Sequence, residues 1–409
     1  MIFQTRIKSI AREIKVFNGL KKGAIKLLFS NLLFEVAAPM LYIFSNAFFW
    51  YKSQDLKIIV LFNLFFYIFI PLSFFINGYL LKKINIKYLA ASGLILQGFA
   101  MLFFMFDIEP NVLNTFIYSS IFGLFSGIYW ANRNFMEFQT TSDDDRDYFY
   151  GVYLSGATII SIIFNSFYGN FLAREGIFGV SKNSLYIIAT IFVIFILFAS
   201  SYLLLQGRYR NPIVKSIVLR NPDEKWKLVR KIYFLTGLRE SNSFMIPTLF
   251  ILYYLNTEDL LGEANSLAAI VTAIIIYILG RMIKKQGRKL VISFGIFILL
   301  INSFLILFFE PKHFAFFYNT IDATGNIFIY LAIVPIFLKQ LDFQKQNNDS
   351  EFKFLFDADL FLNIGRIFGI SFIYIIFNLI GDGDAIKLTP LFFILPNLLF
   401  LRNIYLVKD

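Results

Sequence analysis

Long apolar runs alternate with short polar segments along most of this chain. Residues 58–81, 88–106 and 185–205 are each close to the roughly 20 residues that an α-helix needs to cross the hydrocarbon core of a membrane. Twelve such spans can be drawn: 25–49, 56–81, 88–106, 112–137, 148–173, 184–206, 230–255, 265–283, 289–309, 313–338, 356–380 and 387–406. The pattern therefore predicts an all-α membrane protein with twelve transmembrane helices.

Two short basic segments divide this pattern into similar halves. Five residues of the first segment have identical counterparts 202 positions later: Gly78, Lys82, Lys83, Lys87 and Gly93 match Gly280, Lys284, Lys285, Lys289 and Gly295. A repeat of about half the chain predicts two pseudo-symmetric six-helix bundles. We expect an amphipathic cytoplasmic N-terminus at 1–24, bundles at 25–206 and 230–409, and a basic cytoplasmic linker at 207–229 between them.

Composition agrees with a membrane protein and restricts its chemistry. The chain is 58% hydrophobic and 16% charged, whereas soluble domains carry about 25% charged residues. It has no cysteine, which excludes disulfides and thiolate metal sites.

The charge distribution predicts the orientation in the membrane. Most of the 38 Lys and Arg residues fall on the side of the predicted termini, which the positive-inside rule assigns to the cytoplasm. We therefore expect a multi-pass protein of the plasma (inner) membrane with both termini cytoplasmic. The net charge of +11 is then explained by orientation and by anionic lipid headgroups, rather than by nucleic acid.

Ionisable side chains near the middle of predicted spans are candidates for function, because inserting each one costs about 2.5 to 3.5 kcal/mol. They are Glu35, Arg239, Glu240, Asp322 and Arg366. We interpret them as substrate-binding or coupling residues around a polar cavity between the halves. The three carboxylates are candidates for carrying protons, and the two arginines for binding an anionic or polyhydroxylated solute. The alternative is a set of buried ion pairs that fix helix packing, for example Glu240 with Arg366.

A second polar group lies near the cytoplasmic end of span four. Arg133 and Glu137 are four residues apart and should form an intrahelical pair, which is either a local contact or part of a cytoplasmic gate. Asp143, Asp144 and Asp145 follow and are typical of a solvated loop or gate. A catalytic metal site of the glycosyltransferase type is the alternative, but no histidine or further carboxylate cluster accompanies them. We therefore expect no catalytic residues, no metal and no cofactor, and the chain has no nucleotide-binding loop.

Small residues at four-residue spacing predict close helix packing. They are Gly123 and Gly127 in span four, and Gly365 and Gly369 in span eleven. Such pairs let two helix backbones approach each other.

Twelve spans in two halves, a basic linker and a repeated hairpin after spans two and eight resemble the major facilitator superfamily. The family's hairpin signature has a Gly followed by an Asp-Arg pair, whereas this chain has Gly78 with Lys82-Lys83 and Gly280 with Lys284-Lys285. In that family, the two hairpins contact the starts of spans eleven and five. The resemblance thus implies a charge-reversed gate, in which Lys82 and Lys83 meet Asp357 or Asp359.

The same resemblance implies that Lys284 and Lys285 meet the acidic cluster Asp143 to Asp147, which contains Asp143, Asp144, Asp145 and Asp147. It also implies a secondary active transporter that moves a small solute by alternating access, with H+ as the coupling ion that the buried carboxylates favour. We expect a monomer in the membrane. Three alternatives remain open. They are a flippase of the same fold for a lipid or a lipid-linked sugar, a membrane sensor or scaffold that transports nothing, and a membrane-embedded enzyme whose Asp143 to Asp145 loop binds a metal.

Overall fold

The computed structural model describes residues 17, 19–106, 108–141, 143–176, 179–282, 287–347 and 352–407. Within helices, the side chains of 143–147, 280–282, 335, 338, 339 and 341–347 are not described. The predicted amphipathic helix at the N-terminus and the second hairpin lysines, Lys284 and Lys285, therefore lie outside the described residues. So do the side chains of Asp143, Asp144 and Asp145.

The described residues form twelve long helices. They are α1 (Lys22–Ser53), α2 (Leu56–Leu80), α3 (Ile86–Met105), α4 (Val112–Thr140), α5 (Asp143–Leu172), α6 (Lys182–Leu205), α7 (Glu224–Leu255), α8 (Glu258–Met282), α9 (Arg288–Leu305), α10 (Pro311–Asn347), α11 (Phe352–Ile380) and α12 (Asp382–Leu406). Ten of them are long and apolar enough, over their described residues, to cross a membrane. The remaining two, α7 and α10, are not among these ten. The predicted all-α fold is confirmed. The eighth helix begins at Glu258, earlier than the predicted 265. The prediction placed the start later because polar residues of the first turns interrupt the apolar run.

Polar side chains and prolines define several helix ends and irregularities. Asp55, Asn85 and Asp223 each accept a hydrogen bond from the first turn of the helix that follows, which satisfies an otherwise unpaired backbone N–H. Within α1, a π-helical turn at Pro39–Ile43 follows from the missing N–H of the proline. Residues 207–223 form an irregular segment between α6 and α7.

The repeat seen in the hairpins is also present in three dimensions. In α3, a methyl group on Gly93 would lie 2.7 Å from the backbone nitrogen of Tyr129 in α4. In α9, a methyl group on Gly295 would lie 2.7 Å from the carbonyl oxygen of Gly325 in α10. Both glycines are therefore needed where the third helix of a half crosses the fourth.

Small residues also set the close crossings that the sequence predicted. A methyl group on Gly127 would lie 2.8 Å from the carbonyl oxygen of Ile70 in α2, and one on Gly365 would overlap the carbonyl oxygen of Phe234 in α7. The pairs α2 with α4 and α7 with α11 thus bring their backbones into direct contact.

We call the face on which α1 begins and α12 ends the terminal face, and the other the opposite face. The two halves meet mainly through α2 with α11 and α5 with α8. At the terminal face, Gly78 of α2 lies directly against the Phe352 ring of α11, and the rings of Phe75 and Phe356 are 6.2 Å apart.

Candidate functional site

Arg133 is the centre of a buried polar cluster in the first half. Its side chain is only 3% exposed, and its Nε lies 2.9 Å from Oε1 of Glu137, one turn along α4. This confirms the predicted intrahelical pair. A second carboxylate, that of Glu35 in α1, lies 3.7 Å from Nη1 of Arg133.

Aromatic and amide groups complete this cluster. Tyr153 of α5 accepts a hydrogen bond from Arg133 and donates one to Glu35. Asn31 and Tyr150 donate to the two carboxylate oxygens of Glu137 at 2.6 and 3.2 Å. The guanidinium also lies 4.7 Å from the centre of the Trp130 ring. One arginine thus connects α1, α4 and α5, and its charge is compensated by two carboxylates.

Arg366 forms the corresponding cluster in the second half. It donates two hydrogen bonds to Oε2 of Glu240 in α7, at 2.7 and 3.0 Å. The pair that the sequence suggested as an example of a structural ion pair is therefore present. The guanidinium of Arg366 lies 5.0 Å from the ring centre of Tyr67, which belongs to α2 in the first half, and 5.5 Å from that of Phe244.

Each of the two clusters contains one partly exposed glutamate. Glu35 and Glu240 each have a side chain that is 21% exposed, in contrast to the 3% of Arg133. Tyr330 of α10 is half exposed and lies within electrostatic range of both glutamates and of Arg133. Tyr330 and both glutamates are thus partly accessible, and Tyr330 interacts with groups of both clusters.

Arg239 and Asp322 form a third group, which is enclosed by protein. Both residues are buried, and they meet through Asn326, which accepts from Arg239 and donates to Oδ2 of Asp322 at 2.8 Å. Ser243 donates to the other carboxylate oxygen of Asp322. The five midplane residues thus fall into three groups. Glu35 pairs with Arg133 and Glu240 pairs with Arg366, and both glutamates are partly exposed. Arg239 and Asp322 form the enclosed group.

The two halves are closed at the opposite face. Lys182 of α6 forms an ion pair of 2.9 Å with Glu258 of α8, and Tyr186 donates to the same carboxylate. The indole of Trp50 donates to Asn256 at 2.5 Å. A methyl group on Gly169 of α5 would lie only 3.0 Å from the Cα of Gly262 in α8, so the two helices touch there.

Toward the terminal face, the residues of α5 and α8 are less buried than near the opposite face. Near the opposite face, buried residues of the two helices include Asn165, Gly169 and Gly262. From 150 to 164 in α5 and from 269 to 279 in α8, every residue is half-buried or exposed. Ser266 of α8 still donates to the carbonyl oxygen of Ile162 in α5 at 2.8 Å. Beyond that hydrogen bond the described residues of the two helices are less buried toward the terminal face, where Tyr150 and Tyr153 of α5 contact the Arg133 cluster.

The expected gate at the first hairpin is arranged differently from the prediction. Asp357 forms a two-point ion pair with Arg230 at 2.6 and 2.7 Å and accepts a hydrogen bond from the indole of Trp226. Its partner is thus Arg230 rather than Lys82 or Lys83, because the start of α7 packs directly against the start of α11. Both hairpin lysines are exposed, and the Lys82 ammonium lies 5.3 Å from the ring centre of Tyr79.

Asp359 faces a different group from the one predicted for it. Asn363, one turn along α11, donates to its Oδ2 at 2.8 Å and in turn accepts from Arg366. Asp359 therefore extends the Glu240 cluster. Sequence reasoning missed this link, as well as Tyr153 and Tyr67, since tyrosines occur throughout the chain. The spacing of Asp359, Asn363 and Arg366 on one helix face was the available signal.

Comparisons with known proteins agree with this architecture. No family model matches the sequence. An uncharacterized protein of Bacillus subtilis (strain 168), YqgE, is 25% identical over 392 residues, covering 94% of this chain and 89% of that protein.

Two solved structures have a similar fold at low sequence identity. A bacterial homologue of the iron transporter ferroportin, in its inward-facing state, superposes with a TM-score of 0.68 and 11% identity, over 93% of this chain and 98% of that one. The transporter FucP in its outward conformation superposes with a TM-score of 0.61 and 12% identity, over 95% and 100%. The chain has the fold of the major facilitator superfamily.

Proposed function

We propose that this protein is a secondary transporter that moves a small solute through the cleft between its halves by alternating access. The observation that carries the proposal is the placement of Glu35 and Glu240. They lie on α1 and α7, the first helix of each half. Each is partly exposed, pairs with an arginine of its own half and interacts electrostatically with Tyr330. The contacts that close the opposite face support access from the terminal face.

We propose that these two glutamates couple transport to protons. A carboxylate that pairs with arginine only when ionised exchanges that ion pair for a proton or for a solute, so the two can compete for it. Asp322 is a weaker candidate, because Asn326 and Ser243 enclose it. Coupling to an ion gradient also fits a chain without a nucleotide-binding loop.

We propose a solute that carries a cationic group. With all groups ionised, the two clusters hold two arginines, Arg133 and Arg366, against four carboxylates. These are the carboxylates of Glu35, Glu137, Glu240 and Asp359, so negative charge is in excess. Both arginines already bind carboxylates at 2.9 Å or less, so neither is preorganised for an anionic solute. The ring of Tyr330 adds a surface that attracts cations. Arg239 and Arg366 were expected to bind an anionic or polyhydroxylated solute, whereas this balance of charges supports a cationic one.

Proton movement in proteoliposomes tests the proposal. Vesicles that contain the purified protein and an internal pH dye are challenged with separate pools of organic cations, amino acids, sugars, nucleosides, organic anions and divalent metal ions. The metal pool is included because one similar structure is that of an iron-transporter homologue. We expect the cationic pools to move protons. Proton movement with the anionic pools alone would contradict the charge argument, and solute movement without protons would contradict coupling.

A further inference from the structure

Arg366 is held by residues of both halves. It donates two hydrogen bonds to Oε2 of Glu240, at 2.7 and 3.0 Å, and its guanidinium lies 5.5 Å from the ring centre of Phe244. Glu240 and Phe244 belong to α7, in the same half as Arg366. Tyr67 belongs to α2 of the first half, and its ring centre lies 5.0 Å from the same guanidinium. The first half thus contributes one of the groups that surround this cation.

The arginine of the first half is held differently. Arg133 makes its ion pairs and its hydrogen bond to Tyr153 within its own half, and the aromatic rings near its guanidinium also belong to that half. The difference follows from the helices, since α4 packs mainly against helices of the first half, whereas α11 packs against α2. Among the described residues, the Glu240 pair is therefore the one whose arginine directly contacts a ring of the other half.

Tyr67 continues the contact between α2 and α11 away from the terminal face. Nearer that face, the rings of Phe75 and Phe356 are 6.2 Å apart. Tyr67 precedes Phe75 by eight residues, or roughly 12 Å along α2, and there it meets Arg366. Because α2 and α11 belong to different halves, a rotation of one half against the other changes the distance between Tyr67 and Arg366.

A proline weakens α2 next to this contact. Pro71 lies inside the helix and has no N–H, so it provides no hydrogen bond to the carbonyl oxygen of Tyr67, four residues earlier. Helices bend most readily where such a hydrogen bond is missing. The ring of Tyr67 is therefore carried by a part of α2 that moves at a lower cost than a regular helix.

We propose that Tyr67 positions Arg366 for its ion pair with Glu240, and that this contact stabilises the described arrangement of the two halves. A guanidinium within about 6 Å of a ring centre is attracted by the electrons of the ring, and more strongly where water is excluded. The side chains of Arg366 and Glu240 are only 17% and 21% exposed. A movement of the halves thereby changes the surroundings of Glu240 through Arg366. This role rests on the proposed function, which assigns proton coupling to Glu240, whereas the contact itself does not.

Thiol labelling at the contact between the halves tests this role without a solute or a proton gradient. Ser266 of α8 is buried and donates to the carbonyl oxygen of Ile162 in α5, so Ser266→Cys provides a thiol that is covered while the halves meet there. It is the single thiol, because the chain has no cysteine. Its rate of reaction with a water-soluble maleimide, in nanodiscs, reports how often the halves part. Arg174→Cys, at an exposed position, measures the reactivity of the reagent.

Three substitutions in α2 are compared in the Ser266→Cys protein. We expect Tyr67→Leu, which removes the ring, to label at least about threefold faster than the parent. Tyr67→Phe keeps the ring and should label at the parent rate. Phe65→Leu is the matched control and should also keep that rate, since the ring of Phe65 contacts that of Phe116 in its own half, at 5.1 Å. Tyr67→Met, which also lacks the ring, replaces Tyr67→Leu if the latter does not fold.

Arg366→Gln separates the contact of cation and ring from a general loss of packing. Once the cation is absent, Tyr67→Leu should accelerate labelling no further. Unchanged labelling of Tyr67→Leu, equal acceleration by Phe65→Leu or Tyr67→Phe, or a full additional effect in Arg366→Gln would overturn the role of Tyr67.

Solute-driven proton movement in proteoliposomes tests the link to Glu240. Tyr67→Leu should reduce this flux severalfold, and Tyr67→Phe should keep it. Faster labelling of Tyr67→Leu with an undiminished flux would make Tyr67 a packing residue and overturn its positioning role. Failure of the proposed function is a separate result, because it is seen as undiminished proton movement in Glu240→Gln, whatever the labelling rates.

Discussion

Lys289 donates from its Nζ to the carbonyl oxygen of Val407, at 2.7 Å, just beyond the end of α12. Lys87 makes the equivalent contact in the first half, 3.3 Å to the carbonyl oxygen of Leu205 at the end of α6. Both lysines and both carbonyls are 202 positions apart. A lysine at the start of the third helix thus binds the C-terminal end of the sixth in each half, where the helix dipole favours positive charge.

Replacing either lysine by methionine should lower stability by about 1 kcal/mol, because the hydrogen bond and the helix-end charge are lost while the apolar stem stays. The two losses should add, since the sites are in different halves. Thermal unfolding in detergent, followed by intrinsic fluorescence, measures this for Lys87→Met, Lys289→Met and the double variant. Lys83→Met is the control, and a control as unstable as Lys87→Met would argue against the helix-end role.

Adding a methyl group should destabilise the protein at a tightly packed glycine and not at a glycine with open space around it. Gly365→Ala should destabilise the protein by about 1 to 3 kcal/mol, because its Cβ would overlap the backbone of α7 at Phe234. Gly151→Ala is the matched control, since its Cβ would meet no atom within 4 Å. Similar midpoints for the two variants in thermal unfolding would show that the α7–α11 crossing is looser than described.

Replacing Arg133 alone should lower the stability more than replacing Arg133 together with its acidic partner Glu137. Arg133→Met leaves Glu137 and Glu35 without their cation, and we expect a loss of about 3 to 5 kcal/mol. Arg133→Met/Glu137→Gln should recover part of that loss, because one buried negative charge is removed too. Unfolding midpoints of both variants, with Arg174→Met at an exposed position as control, measure the coupling. A double variant less stable than the single one would contradict the ion-pair account.

A covalent link across the opposite face should stop transport. The chain has no cysteine, so Lys182→Cys/Glu258→Cys introduces the only two thiols, at a contact between the halves. A short bifunctional thiol reagent should link them in the state described here and abolish solute movement. Each single-cysteine variant, treated with the same reagent, should keep its activity. Full transport by the linked protein would exclude an alternating opening at this face.

The helices and their packing followed from the sequence for direct physical reasons. Spans of about 20 apolar residues require helices in a membrane, and the paired small residues at Gly123 and Gly365 marked real crossings. The Arg133–Glu137 pair followed from spacing within one helix. These features depend on neighbours along the chain, which is why a single sequence reveals them.

Contacts between distant segments could not be predicted in this way. The partner of Asp357 is Arg230, 127 residues earlier, and only the docking of α7 against α11 brings the two together. Lys87 was assigned to a hairpin motif, whereas its contact is a helix end 118 residues away. The roles of Tyr153 and Tyr67 also depend on helix packing, since nothing distinguishes them among the chain's 22 tyrosines.

The central claim is that Glu35 and Glu240 couple a solute to protons in the cleft between the halves. Its most direct test is solute-driven proton movement in proteoliposomes of the wild type, Glu35→Gln and Glu240→Gln, with Glu310→Gln at an exposed position as control. We expect the wild type and the control to move protons, and the two cleft variants to lose at least about tenfold of that flux. Undiminished proton movement in both cleft variants, alongside a normal control, would contradict the account.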